Sequence, residues 1–305
     1  MNTSVVRAAV VAALVAGVAF AQGQSSGLDI SGSWTSAPES GVGGAEVMLV
    51  DYGGIPMNEA SRMYALAWDA SRITVKQQQC AGYVPPYMFI APGNYRIFED
   101  RDPFTQQLRS VNVYAQIAEG LYQIWMDGRP HPPAWANHTF PGFSTGKYEG
   151  NVLTVYTTHL KRNWIRTNGI AMSDQSTLVE HFTRHGDIIT YTTVITDPVY
   201  LEAPLIRSSV MKRNTRNPDA WLYACDDGEQ ILDRPEDVVP GYLFGANPYL
   251  HEFADKYKMP LLGAIGGAES MYPEMRAKLQ NRAAAEEAVK ALIFPGNTPK
   301  RTSVA

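Results

Sequence analysis

Alternation of branched or aromatic residues with polar ones is clearest in the middle of the chain. Ser110–Ile117 and Leu121–Met126 are two such runs, separated by Ala118-Glu119-Gly120, a break that predicts a hairpin. Lys147–Tyr148 and Val152–Leu160 flank Glu149-Gly150-Asn151, and Thr177–Arg184 and Ile188–Thr196 flank His185-Gly186-Asp187, which predicts two more tight turns. Thr, Val, Ile and Tyr dominate these runs, as half-buried strands require. Short strands joined by tight turns make an antiparallel meander, so the expected fold is mainly β, a barrel or a sandwich.

The flanking regions read differently. Leu28–Trp34 predicts a short first strand. Residues 58–69 predict a helix capped by Asn58, with Met63, Leu66 and Ala67 at helical spacing. Residues 81–108, rich in proline and aromatics without a period, read as loop and short extended pieces. Asn247-Pro248 predicts a helix start, because asparagine caps and proline suits the first helical position. Gly263–Gly267 interrupts the pattern, and residues 272–293 predict one further helix. The expected organisation is a β-rich domain over 28–245 and a helical appendage over 246–305 packed on it.

The N-terminus adds a compartment. Arg7, an apolar run from Ala8 to Ala21, and Ala19-Phe20-Ala21 before Gln22 follow the pattern of a secretory signal peptide. The run is shorter than the roughly 20 residues a spanning helix needs. Residues 1–21 therefore read as a cleaved leader and 22–27 as a flexible spacer, with the mature protein periplasmic or secreted and without a stable membrane anchor. Cleavage would remove one positive charge (Arg7) from a net charge of −4, leaving −5. An acidic chain is a poor partner for a phosphate backbone, which argues against nucleic acid. Cys80 and Cys225 are the two cysteines. Export places them where disulfides persist, so a bridge between them is expected, with two separate buried thiols as the alternative.

Five of the six histidines lie between positions 131 and 185, and the search for chemistry starts there. His181 and His185 sit four apart in a predicted strand, about 13 Å, too far for one metal ion. Leu178, Glu180, Phe182 and Arg184 share a strand face; if that face is interior, Glu180 and Arg184 must be paired or solvated. Leu153, Val155, Thr157 and His159 share another, which places His159 at the rim of the interior, where its pKa near working pH suits a general base. Asp127, Arg129 and His131 form one loop segment and His138 another; loops at barrel mouths often hold functional groups. Gly142-Phe-Ser144-Thr-Gly146 matches the letters of a nucleophile elbow, but a proline before it and a hairpin after it predict a turn instead.

These strings resemble a large family of uncharacterised exported bacterial proteins. The resemblance is carried by Asp127-Gly-Arg-Pro-His131, Gly142-Phe-Ser-Thr-Gly-Lys-Tyr-Glu-Gly150, Arg184-His-Gly-Asp187 and Asp197-Pro-Val-Tyr200. It implies an exported protein and brings no assigned activity. Family members often have Asp where Asn151 stands. Gly32-Ser33-Trp34 also looks like the G-x-W of lipocalin-like barrels, which implies a ligand-holding barrel.

Two functions are expected. The first is an exported enzyme performing non-redox acid–base chemistry on a small molecule, as a lyase, isomerase or hydrolase. His159 would be the base, His131 or His138 a second acid or base, and Arg166 or Arg184 an anion stabiliser, with Glu180 inside the catalytic set. Asp127, Trp125, Tyr156, Phe182 and His185 would contact the ligand. No cofactor is expected; a divalent metal on His131, His138 and His159 is the alternative. The second function is a carrier that holds an apolar or aromatic ligand in the barrel. The sequence leaves the oligomeric state open.

Overall fold

In a computed structural model the described residues are 29–37, 48–68, 85–90, 93–116, 121–166, 168–216, 242–243 and 245–293. The expected leader, spacer and cysteine bridge, with Cys80 and Cys225, lie outside them. The β elements are β1 (Gly32–Ser36), β2 (Asn94–Arg101), β3 (Leu108–Ala115), β4 (Leu121–Trp125), β5 (Phe143–Glu149) and β6 (Val152–Thr158). They continue as β7 (Asn163–Arg166), β8 (Ile170–Met172), β9 (Thr177–His185), β10 (Ile188–Thr196) and β11 (Leu205–Arg213). Helices α1 (Glu59–Leu66) and α2 (Tyr87–Ile90) precede β2; α3 (Glu252–Lys256), α4 (Leu261–Ile265), α5 (Pro273–Gln280) and α6 (Arg282–Ile293) follow β11.

Nine of these strands close into a barrel in the order β1-β11-β10-β9-β6-β5-β4-β3-β2, and β7–β8 form a separate hairpin. The fold is thus mainly β, a lipocalin-like barrel with C-terminal helices packed on it. The three predicted hairpins are present as β3–β4, β5–β6 and β9–β10. One neighbouring pair departs from the antiparallel meander: β4 and β5 run parallel, in register at Ile124↔Ser144 and Trp125↔Thr145. Residues 126–142 therefore form a strap that returns the chain along the outside of the barrel before β5 begins.

Other boundaries also differ from expectation. The first strand starts at Gly32 instead of Leu28. Residues 81–108 contain a full strand, β2, because Tyr95 and Ile97 bury while their neighbours face outward. The predicted turn at Gly142–Gly146 is the first half of β5. Ser144 points into the barrel there, and a Cβ on Gly146 would lie 2.7 Å from Ile124 Cγ2. The helix expected from Asn247-Pro248 begins only at Glu252: Asn247 Oδ1 accepts from the Tyr249 N–H at 3.1 Å, but that bond opens a run of turns, and Asn247 Nδ2 donates to the carbonyls of Leu66 and Trp68. The single helix over 272–293 is two, α5 and α6, broken at extended Asn281. Asn58 caps α1 as predicted, accepting from the Ser61 N–H at 2.9 Å.

Among the described residues there are two large apolar clusters and a small one, Leu262, Met275 and Ala285, between the C-terminal helices. One of the large clusters lies in the barrel and centres on Phe89 of α2, which plugs it. The Phe89 ring packs on Tyr95, Tyr122, Phe182 and Tyr191, with centroids 4.7–5.9 Å away. Trp34 is fully buried, donates to the Ile30 carbonyl and lies under the Arg213 guanidinium at 4.8 Å, which fastens β1 to β11. The second cluster joins one end of the barrel to α1, the β7–β8 hairpin and the C-terminal helices, through Leu178, Ile195 and Leu205 on the barrel side and Ala254, Ile265 and Ile293 on the helical side. No helix among the described residues is long and apolar enough to cross a membrane.

Candidate functional site

Along β9 the buried side chains are Leu178, Glu180 and Phe182, the interior face that alternation gives. Glu180 is fully buried between the two large apolar clusters. Its Oε1 accepts from the Tyr191 hydroxyl at 2.7 Å, and its Oε2 accepts from the Tyr122 hydroxyl at 2.5 Å and from Thr157 at 3.0 Å. Burial pushes the Glu180 carboxyl above its usual range, although the three hydroxyl donors pull the other way. The same burial, with the carboxylate beside them, pushes both tyrosines well above 10. Of the two outcomes expected for Glu180 and Arg184, paired or solvated, pairing with each other is not the one found. Arg184 reaches instead to the carbonyls of Gly186 and Asp29 at the edge of the barrel. Phe182 is core packing against Phe89 and Tyr191.

The histidines converge, but on the outer wall. Alternation along β6 holds through Thr157 and ends at His159, whose φ of +56° turns the chain and swings the ring outward. His159 is therefore not at the interior rim. A left-handed non-glycine residue is strained, and the strap holds it in place. The His159 carbonyl accepts from the Thr139 N–H, Lys161 N–H donates to the Thr139 carbonyl, and Gly142 sits so close that a Cβ there would be 2.6 Å from the Thr158 carbonyl.

The hydrogen bonds in this cluster have one consistent direction when the imidazoles are neutral. The Pro133 carbonyl, 3.0 Å from His159 Nε2, only accepts, so Nε2 carries the proton. His159 Nδ1 is then bare and accepts from the Thr158 hydroxyl at 2.7 Å. With its proton spent, Thr158 Oγ1 accepts from His131 Nδ1–H at 2.7 Å. His131 Nε2 is in turn bare and accepts from the Thr145 hydroxyl at 2.9 Å. Burial, then the neighbouring His159, lowers the His131 pKa from its usual 6.5, which favours the neutral ring the chain requires. His138 donates Nδ1–H to the Leu160 carbonyl at 2.9 Å, and its ring lies 5.1 Å from that of His159. That leaves the His138 Nε2 lone pair unengaged among the described residues.

Around this relay, His131 packs against Phe143 and Tyr156, both on the outer face. Tyr156 is thus not a lining of the barrel interior. Trp125 is also on the outer face, under the Arg129 guanidinium at 3.4 Å, and Arg129 is bound to Asp127. His185 is exposed at the β9–β10 turn. Arg166 is remote from the histidines, paired with Asp51 at 2.6 Å. Among the described residues no group of three metal-binding side chains is placed to share an ion. Metal on His131 and His159 would require them to give up the relay. Sequence reasoning missed Thr145 and Thr158, because threonine in a strand reads as a β former; their outward positions flanking Tyr156 were the available signal.

Comparison with family models, with curated proteins and with solved structures finds no match to this chain.

Proposed function

We propose that the protein is an exported enzyme performing non-redox acid–base chemistry on a small molecule, hydrolysis being the member of that class the site suits best. The observation that carries this reading is the Thr158 hydroxyl donating to His159 Nδ1 while the Pro133 carbonyl orients the far side of the ring. That order, hydroxyl to base to orienting acceptor, is how an alcohol is activated as a nucleophile. In this reading Thr158 attacks the carbonyl carbon, His159 takes its proton and returns it to the leaving alcohol, and the free Nε2 of His138, which can only accept, takes a proton from the water that then releases the acyl group from Thr158. His131 positions Thr158 from the other side. Export rests on the N-terminal pattern, and N-terminal sequencing of the periplasmic protein should begin at Gln22. The enzymatic reading is tested with a panel of p-nitrophenyl esters and lactones. Thr158→Val and His159→Gln should each abolish turnover that the parent shows; turnover unchanged in both variants rejects the mechanism.

A second reading, a carrier of an apolar ligand, is favoured by a groove of about 670 Å³ between the C-terminal helices, lined by Leu250, Leu261, Leu279, Val289 and Ile293. Its volume lies in the range of small-molecule sites. The ligand would then sit among the helices, since aromatic side chains fill the described part of the barrel.

A further inference from the structure

Trp135 is 86% exposed, and it stands on the turn that orients the His159 ring. The Pro133 carbonyl closes that turn by accepting from the Ala136 N–H at 2.8 Å, and it also accepts from His159 Nε2. A turn fixed to the relay thus presents a bare indole to solvent. Tyr156, 43% exposed, is a second open ring. It lies two residues before Thr158 on the outer face of β6, about 7 Å along the strand. Beyond Tyr156 the wall is uncharged. Tyr156, Val179 and Val194 stand side by side across β6, β9 and β10, and His181 lies between Thr154 and Thr192 in the next row. No outward position of these three strands is Asp, Glu, Lys or Arg. Soluble surfaces normally mix charges of both signs, and β2 does so, turning Arg96 and Asp100 outward. The cations at the margin of the wall, Arg129 and Lys147, are held by Asp127 and Glu149.

We propose that this wall, from Trp135 across Tyr156 to β10, binds a neutral oligosaccharide, and that the ester opened at Thr158 is one carried by the sugar. The ester half rests on the hydrolytic reading above; the binding half does not. The C–H edges of a sugar ring carry partial positive charge and suit the negative face of an indole or phenol ring. Sugar hydroxyls both donate and accept, as do those of Thr154 and Thr192, so neither partner has to strip water from a charge. An acidic glycan finds no cation on the wall and meets a chain of net charge −4. From β6 to β10 is about 10 Å, wider than one sugar ring, which favours several linked sugars over one. In the ester step the leaving alcohol is a sugar hydroxyl. The acyl group passes to Thr158 Oγ1, and the Thr158 proton reaches the sugar oxygen through His159.

Calorimetric titration of the full mature chain with cellohexaose, xylohexaose and chitohexaose tests the binding, with oligogalacturonate of the same length as the acidic control. The expected result is saturable binding of at least one neutral hexasaccharide, weakened about tenfold or more by Trp135→Ala and less by Trp135→Phe, with the thermal midpoint unchanged. Oligogalacturonate should bind about tenfold more weakly or not at all. Binding of none of the three, equal binding by Trp135→Ala, or preference for oligogalacturonate would each overturn the proposal. So would a parent dimer that Thr192→Lys dissociates, because a second copy would then cover the wall. The ester half predicts acetate release from the O-acetylated form of the bound sugar by the parent and not by Thr158→Val. Turnover of p-nitrophenyl esters without sugar binding overturns this proposal alone. Sugar binding with no turnover of any ester overturns the ester half together with the hydrolytic reading, and the binding half stands.

Discussion

The hydroxyl of Thr158 lies 2.7 Å from Nδ1 of both His131 and His159, donating to one ring and accepting from the other. The Pro133 carbonyl fixes the tautomer of His159, and this single oxygen passes that choice on to His131. Thr158→Val should remove both bonds, lower stability by about 1–3 kcal/mol and release the tautomer of His131, whereas Thr158→Ser should keep it. Nitrogen-detected NMR of the two rings checks this directly: protons on His131 Nδ1 and His159 Nε2 in the parent, and in the valine variant mixed tautomers at His131 with His159 unchanged. His131 should also titrate below 6.5. Its folded-state pKa is depressed, so its stabilising contribution is complete above about pH 6.5 and is lost as pH falls through the folded value.

Glu180 works in the opposite sense. Burial raises its pKa above the 4.5 of an ordinary glutamate, so the fold binds that proton more tightly than the unfolded chain does. The resulting stabilisation is full below about pH 4.5 and is lost as pH rises through the folded value. Glu180→Gln removes the titration. Urea midpoints measured from pH 4 to pH 8 should fall more steeply with pH for the parent than for the glutamine variant. Glu180→Ala removes the acceptor shared by three buried hydroxyls, of which Tyr122 and Thr157 keep each other and Ser144 as partners, and with the cavity it leaves should cost about 3 kcal/mol.

Phe89 ties α2 to four aromatic rings of the barrel. Phe89→Ala should destabilise by about 3–5 kcal/mol, read from denaturant unfolding. A loss under 1 kcal/mol would mean that the plug contributes little.

The helical groove separates the two functional readings. Val289→Trp should fill it and abolish binding of 1-anilinonaphthalene-8-sulfonate by the native protein, measured by fluorescence, while ester turnover at the histidine cluster is unaffected. Fluorescence equal to that of the parent would show that the dye binds elsewhere.

Legibility in the sequence followed local chemistry. The hairpins at Gly150 and Gly186 were readable because both turns need positive φ, and the structure has +60° and +61° there. The inward set of β9 was readable from period two alone. β2 and the plug at 87–90 were not, since prolines and scattered aromatics hide both periods and tertiary packing decides them. The grouping of histidines was visible, but not their side of the wall. One left-handed residue, His159, reverses the face that alternation assigns, and no local signal marks it. The bond between Arg184 and Asp29 joins residues far apart in sequence, beyond the reach of any periodicity.

The parallel β4–β5 contact has a consequence in simple parity. Strand directions alternate around a closed ring only when the number of strands is even. With nine strands in this ring, at least one neighbouring pair must point the same way, and the chain between them must travel the height of the wall outside it. The segment carrying His131 and His138 is that return journey. The histidine cluster thus occupies the one connection that an odd-numbered barrel is obliged to make.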